Sequence, residues 1–284
     1  MLPIRVLVTG AGAPGFWGTF KSLVFNYDHR KIDIISTDMK DDGYGKYMSK
    51  GFYKIPPAVD DEYSQAVRKI YLEEGIDVVL PQNTMELEKL AESNMNVCVS
   101  ERVYMANNKW LLYKVAKGCE VPTPDFMRIE GNVVIKPTVG HGSKGLHIIE
   151  AKESLVSEFV EGDEYSVDCY RDNKQFIAIP RIREEIKGGI SYRTTTVERK
   201  DLIEYSKKLA DYLDLKYAFG FQFIEDKLLE CNPRVQGTMI ASTYAGANLI
   251  YSAVKSAMGE EVPELKAEWG MTTTRSTVCK PSLR

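Results

Sequence analysis

Oxygen-bearing side chains recur in residues 221–234, FQFIEDKLLECNPR, at a spacing that suits a hard cation. Two β-type runs, 221–224 and 228–232, flank a charged break at Glu225-Asp226-Lys227, the pattern of a hairpin with a three-residue loop. Centring that loop on Asp226 places Gln222 opposite Glu230. Side chains alternate along strands, so Gln222, Glu230 and Asn232 share one face while Phe221, Phe223, Leu229 and Cys231 share the other. A carboxylate flanked by two side-chain carbonyls suits Mg²⁺, which takes oxygen ligands and leaves part of its shell to water and phosphate. Pro233 lacks an N–H and ends the ladder. Arg234, just beyond it, can reach an anionic substrate beside the metal. The polar outer face of an edge hairpin would carry the same letters, so the rest of the chain has to separate the two readings.

A second candidate lies upstream. The strand-like run VVIKP at 133–137 puts Val133 and Ile135 on one side and Val134 with Lys136 on the other. A buried lysine head needs an anion to offset desolvation, so Lys136 sits at a phosphate or snorkels to water. Next comes Gly140-His141-Gly142-Ser143-Lys144-Gly145, a formal G-x-G-x-x-G. A Walker A loop needs lysine after the last glycine, where Leu146 stands. A protein kinase needs later H-R-D and D-F-G elements, which the sequence lacks. A dinucleotide turn must open a helix, yet residues 146–149, LHII, read as a strand. Two readings remain: a glycine flap whose amides and Lys144 fold over a polyphosphate, or an exposed hairpin turn. Residues 157–164, SEFVEGDE, alternate acid and apolar; such a stretch can offer backbone groups to an adenine edge, with Glu164 on a ribose diol. A charged linker fits these letters too.

The elements that must position these groups fall into two textures. Residues 4–9 form a buried-type strand running into Gly10-Ala11-Gly12-Ala13-Pro14-Gly15, followed by a helix to about Phe25 and a strand at 32–37 that ends at Asp38. This has the form of a dinucleotide fingerprint with its ribose carboxylate. It supports a rival function, an NAD(P)-dependent oxidoreductase. Residues 60–74 form an amphipathic helix with Tyr63, Ala66, Val67, Ile70 and Tyr71 on one stripe. A strand at 77–80, a short helix from Thr84 and a small strand at 97–100 complete a parallel α/β unit. Residues 107–117 form a helix bearing Lys109, and the proline-punctuated link at 119–124 marks a lobe boundary. Beyond it come short strands at 133–136, 146–149, 165–170 and 176–180, with helices near 197–213 and 247–258, an α+β texture.

The bulk properties narrow the function. The 284 residues are 44% hydrophobic and 27% charged, as in an ordinary globular protein. A net charge of −3 gives no nucleic-acid footprint. No apolar run spans a bilayer and residues 1–5 do not form a signal peptide, so the expected location is the cytoplasm, with no membrane partner. Cys98, Cys119, Cys169, Cys231 and Cys279 are scattered without zinc spacing, and nothing near His141 or His147 completes a metal site.

Taken jointly, Lys109, the 133–137 strand with its 140–145 flap, residues 157–164, Gln222 and the run from Glu230 to Arg234 resemble the ATP-grasp superfamily. The likeness is closest to the ATP-grasp halves of carbamoyl-phosphate synthase large subunits. It implies an α/β plus α+β chain: a small Rossmann-like domain over residues 1–104, then an ATP-grasp domain over 105–284 with a small lobe at about 122–162 and a large lobe at about 163–284. It further implies that Lys109 and Lys136 hold ATP, and that Gly142, Ser143 and Lys144 close over the phosphates. Glu158 and Val160 would read adenine, and Glu164 the ribose. Gln222, Glu230 and Asn232 would bind Mg²⁺, with Mn²⁺ as a substitute, while Arg234 steadies the reacting carboxylate together with Asn232 and Lys144. Arg181 and Arg183 would be further phosphate contacts. The implied activity is ATP-dependent ligation of a carboxylate or bicarbonate to an amine-type nucleophile through an acyl-phosphate. Its partners would be small molecules, a homodimer is admitted, and the substrate would lie between the 10–15 turn and the metal face. The small lobe departs from the family: segments 124–133 and 149–157 are too short for its usual helices, which keeps open an ATP-binding module without ligase activity.

Overall fold

The computed structural model describes residues 3–139, 146–150 and 153–276. Strands β1 (Ile4–Val8), β2 (Ile32–Asp38), β3 (Gly51–Lys54) and β4 (Val78–Leu80) make a parallel sheet in the order β3-β2-β1-β4. Helix α1 (Phe16–Val24) covers one face, meeting Val6, Val8 and Ile34 through Phe16 and Leu23. Helix α2 (Tyr63–Glu73) covers the other, where Tyr63, Val67 and Ile70 meet Leu7, Ile35 and Val79. Burial on both faces explains why β4 is wholly apolar and β1 is apolar but for Arg5. The expected strand at 97–100 reduces to one bridge, Val79 to Val97, because no further ladder forms beyond it. Strand order reverses between β1 and β4, so a crevice opens at their carboxyl ends.

Helices α3 (Leu87–Ala91), α4 (Val103–Asn107) and α5 (Lys109–Gly118) follow. Asn108 starts α5 by accepting hydrogen bonds from the amides of Trp110 and Leu111, which sets Lys109 in the first turn. Then β5 (Phe126–Glu130) pairs with β8 (Glu153–Ser157) and β6 (Val133–Ile135) with β7 (His147–Ile149), two separate two-stranded sheets, one nested within the other in sequence, together termed the ribbon. Strands β5 and β8 are not among the expected elements. Their sequences mix charge with apolar residues, and apart from Phe126, which meets Trp110 and Tyr113 of α5 edge-on, their side chains are mostly exposed.

A six-stranded sheet, β13-β12-β9-β10-β11-β14, carries the rest. It comprises β9 (Glu164–Arg171), β10 (Phe176–Lys187), β11 (Ile190–Thr196), β12 (Tyr217–Ile224), β13 (Lys227–Asn232) and β14 (Thr272–Thr274). Helix α6 (Lys200–Leu213) backs it with Leu202, Leu209 and Leu213 against Val167, Phe219 and Phe221. After α7 (Ile240–Tyr244), helix α8 (Leu249–Ala257) brings Leu249, Ile250 and Val254 into the cluster that holds Val6 and Phe16. The parallel sheet and the six-stranded sheet therefore share one hydrophobic core.

The β12–β13 hairpin keeps the expected pairing by a different route. Ile224 pairs with Lys227, so the loop has two residues, Glu225 and Asp226, and Glu225 takes φ 52. A register shift beyond Phe223 then sets Gln222 opposite Glu230. That bulge turns Leu228 rather than Leu229 into the core beside Phe221 and Phe223, while the Leu229 carbonyl accepts from the Tyr113 hydroxyl at 3.0 Å.

Candidate active site

The crevice at the β1/β4 switch is a cavity of about 280 Å³, walled by Ala13, Gly15 and Gln82 on one side and by Glu230, Asn232 and Arg234 on the other. Two glycines let these walls meet. A Cβ on Gly15 would stand 2.8 Å from the Gly237 Cα. Deeper in the sheet, a Cβ on Gly220 would fall 2.0 Å from Gln236 Nε2 and 2.7 Å from the Val167 carbonyl oxygen. Only a bare backbone at Gly220 leaves room for the Gln236 amide.

On the hairpin face the side chains are already paired. Lys109 Nζ donates to Glu230 Oε2 at 2.9 Å, and Asn232 Nδ2 donates to Glu230 Oε1 at 3.2 Å. Asn232 Oδ1 in turn accepts from Arg234 Nη2 at 3.2 Å, and Gln222 Oε1 from Arg183 Nη1 at 3.2 Å. The Lys109 ammonium marks a cation position on a carboxylate that retains further acceptor capacity. Glu230 thus fits a divalent ion that shares its shell with phosphate. Asn232 and Gln222 fit once their carbonyl oxygens release Arg234 and Arg183.

Three buried or half-buried arginines line or back the cavity. Arg234 Nε donates to Thr84 Oγ1 at 3.0 Å and Nη1 to the Val235 carbonyl at 2.9 Å, so the 82–86 loop of the parallel sheet orients it. Burial pulls its pKa down, and Glu86 and Glu230 pull it back. Arg183 donates to Glu164 Oε2 at 2.6 Å, to the Gly189 carbonyl at 2.6 Å and to Ser191 Oγ at 2.9 Å. Burial lowers its pKa also, against the pull of Glu164. Glu164, the expected ribose ligand, is therefore spent on Arg183 here. Arg181, 2% exposed, makes a bidentate pair with Asp168 at 2.9 and 3.0 Å.

The ribbon stands apart from this set. Lys136 is exposed and does not line the cavity, and Gly142, Ser143 and Lys144 lie outside the described residues. Val160 is half-buried beside the ribbon's base. Glu158 accepts from Lys227 Nζ at 2.8 and 2.7 Å, and its amide donates to the Asp125 carbonyl at 2.7 Å. Lys227, then the Asp125 amide, hold the Glu158 carboxyl below its usual range. The pair ties the ribbon to the β12–β13 hairpin.

The Gly10–Gly15 turn does not carry the dinucleotide reading. Asp38 accepts from the Gly12 amide at 2.7 Å and the Lys40 amide at 2.9 Å, which occupies the carboxylate expected on a ribose. The segment after β2 folds back over the turn: Tyr44 donates to the Ala13 carbonyl at 2.6 Å, and a Cβ on Gly43 would stand 2.9 Å from the Gly12 nitrogen. A pyrophosphate would have to displace this segment.

Sequence reasoning puts residues 82–86 on the ligand edge of the parallel sheet, where Gln82 and Thr84 stand, but passes over Ser166, Asp168, Gln236 and Thr238, which line or brace the site. A signal existed for two of them. Gln236 stands at the next alternate position after Asn232 and Arg234, and Asp168 is a lone acid inside an otherwise uncharged strand stretch.

Comparisons with known proteins agree with this architecture. The family described as "ATP-grasp in the biosynthetic pathway with Ter operon" matches residues 150–277. The carbamoyl phosphate synthase large chain of Clostridium beijerinckii is 26% identical over 171 residues, covering 49% of this chain and 16% of the relative. The chain thus spans a small fraction of the length of the curated relatives it matches. Among solved structures, N5-carboxyaminoimidazole synthetase from Staphylococcus aureus complexed with ADP superposes with TM-score 0.69 at 15% identity, covering 94% of this chain and 81% of that one. The biotin carboxylase domain dimer of Hydrogenobacter thermophilus 2-oxoglutarate carboxylase, with MgADP, ADP and bicarbonate, gives 0.68 at 14% identity, covering 93% and 71%. The resemblance to the ATP-grasp superfamily stands, and the fold is the ATP-grasp fold.

Proposed function

We propose, from an ATP-grasp fold with an arginine-rich cavity at its switch point, that this chain is an ATP-dependent ligase: it activates a small carboxylate or bicarbonate as an acyl-phosphate and passes the acyl group to an amine-type nucleophile. The observation that supports it most is the shared cavity, where Glu230, Asn232 and Arg234 face the Ala13–Gly15 turn across a space of about 280 Å³. Mg²⁺ at Glu230, with Asn232 and Gln222 beside it, would neutralise phosphate charge as it develops. Lys109 holds that carboxylate until a cation takes its place. Arg234, its plane set by Thr84 Oγ1 and the Val235 carbonyl, receives the substrate carboxylate. Burial excludes water around it and strengthens that charge contact. The cavity's hydroxyls, Ser166, Ser191 and Thr238, have no histidine beside them among its lining residues, so positioning and charge carry the reaction without a covalent enzyme intermediate.

ATP would enter between the ribbon and the hairpin, with Lys136, Glu158 and Val160 nearest the nucleotide and Lys144 over its phosphates. Thermal-shift titration with Mg-ATP, NAD(H) and NADP(H) tests the reading: Mg-ATP alone should raise the melting temperature. A rise with NAD(H) and none with Mg-ATP would overturn it. ADP release across bicarbonate and small carboxylates, each with and without an amine, then separates a ligase from a module that only binds ATP.

A further inference from the structure

Inside the cavity wall, Arg181 is 2% exposed and Gln236 5% exposed, and each keeps one nitrogen without a hydrogen-bond partner, Arg181 Nη1 and Gln236 Nε2. The other donors of Arg181 are fixed. Nε and Nη2 hold Asp168, Nη2 also reaches Gln236 Oε1 at 3.1 Å, and Ser242 Oγ locks Asp168 Oδ2 from behind at 2.7 Å. The guanidinium cannot turn to satisfy Nη1 without breaking its pair. A buried donor left open is costly, and one in a cavity wall is met by an acceptor that enters the cavity.

Charge narrows what that acceptor is. Glu230 is the one acidic side chain lining the described cavity, and it is held by Lys109. Behind the wall, Arg275 donates to the Pro14 carbonyl at 2.5 Å, the Gly237 carbonyl at 2.8 Å and Thr238 Oγ1 at 3.3 Å, all neutral acceptors. Arg181 and Arg275 repel each other, and Asp168 offsets only one of them. Arg234 likewise bonds neutral acceptors alone among its described hydrogen bonds. Among the described residues the cavity therefore keeps excess positive charge on the Arg181–Arg275 side, a guanidinium at Arg234 that Glu86 and Glu230 oppose only from a distance and no carboxylate hydrogen-bonds, and no free carboxylate to receive an ammonium.

We propose that the acid bound here is a small dianion: one carboxylate at Arg234, and a second acidic group on the open Nη1 edge of Arg181, with zwitterionic α-amino acids disfavoured. The inference rests on the ligase reading for the role of Arg234, and the binding test below does not depend on turnover. Succinate, butyrate and α-aminobutyrate share a four-carbon chain: succinate replaces butyrate's methyl with a carboxylate, and α-aminobutyrate adds an ammonium beside its carboxylate. Thermal shift of the full chain, with and without Mg-ADP, should show stabilisation by succinate at concentrations about tenfold below those needed for butyrate, with α-aminobutyrate weakest. Arg181→Lys keeps a cation on Asp168 but removes the open edge, and should collapse the succinate preference. Should that variant fail to fold, Arg275→Gln leaves the Arg181–Asp168 pair in place and should narrow the preference about threefold. Equal stabilisation by succinate and butyrate, or a preference for α-aminobutyrate, would overturn the proposal. So would a succinate preference that survives in the folded variants. Failure of Mg-ATP to bind, with the succinate preference intact, would instead overturn the ligase reading and leave the diacid site standing.

Discussion

The six-stranded sheet and the ribbon above it handle polar groups in opposite ways. At the sheet, Asp168, Arg181 and Gln236 are buried in a fixed network that leaves Arg181 Nη1 and Gln236 Nε2 without a partner, and glycines are fitted against neighbours. In the ribbon, Val134 and Ile148 lie open on the surface at 52% and 65% exposure, and Gly131, at φ +81, has open space around it. Rigid charge geometry belongs where charge develops in a reaction, because groups already in place need no reorganisation. A lightly packed, two-stranded cover can open and close at little cost. Under the proposed function, chemistry would fall to the first region and admission of the nucleotide to the second.

The comparison can be broken at several strengths. Glu230→Ala should lower ATP-dependent turnover by about 10²–10³-fold while the circular dichroism spectrum stays native; full activity in that variant would remove the hairpin from the chemistry. Gly220→Ala should destabilise the fold by about 3 kcal/mol in urea titration, since its Cβ meets the Gln236 amide and the Val167 carbonyl. Gly131→Ala should cost about 1 kcal/mol, the conformational strain of a positive φ with no steric term added. Equal losses at the two glycines would erase the contrast. Lys227→Met unties the ribbon from the hairpin and should raise the KM for ATP about two- to fivefold with an unchanged melting temperature.

The smallest effect is a slope. Burial, aided by Glu230, pushes the Tyr113 phenol up to about 12 from 10.0. A group whose pKa is higher when folded gives stability that is complete below its unfolded pKa and is lost as pH rises through the folded one. Stability measured between pH about 10 and about 12 should therefore fall, and Tyr113→Phe should flatten that fall. An identical slope in the variant would mean that Tyr113 titrates as it does in the unfolded chain.

Apolar runs made β1, β2 and β4 of the parallel sheet legible and α2 shows its stripe openly, whereas β3, a half-exposed edge strand Gly-Phe-Tyr-Lys, carries no such pattern and was not expected. The hairpin pairing was also readable, although its two-residue loop and compensating bulge were not. Alternation predicts Leu229 in the core; the bulge puts Leu228 there, and a one-residue slip of this kind leaves no mark on composition. Ribbon strands β5 and β8 escaped because nothing packs on most of their surface, so no core pattern is written into them. The Glu164–Arg183 and Asp168–Arg181 pairs join residues on neighbouring strands, and a single sequence does not say which acid faces which arginine.

Arg275 follows β14 and grips Pro14 and Gly237, residues from opposite walls of the cavity. A growing polypeptide emerging from the ribosome would lack this clasp until residue 275 had been added, long after both walls were made. The two walls should therefore become tied to each other only once residue 275 has been made.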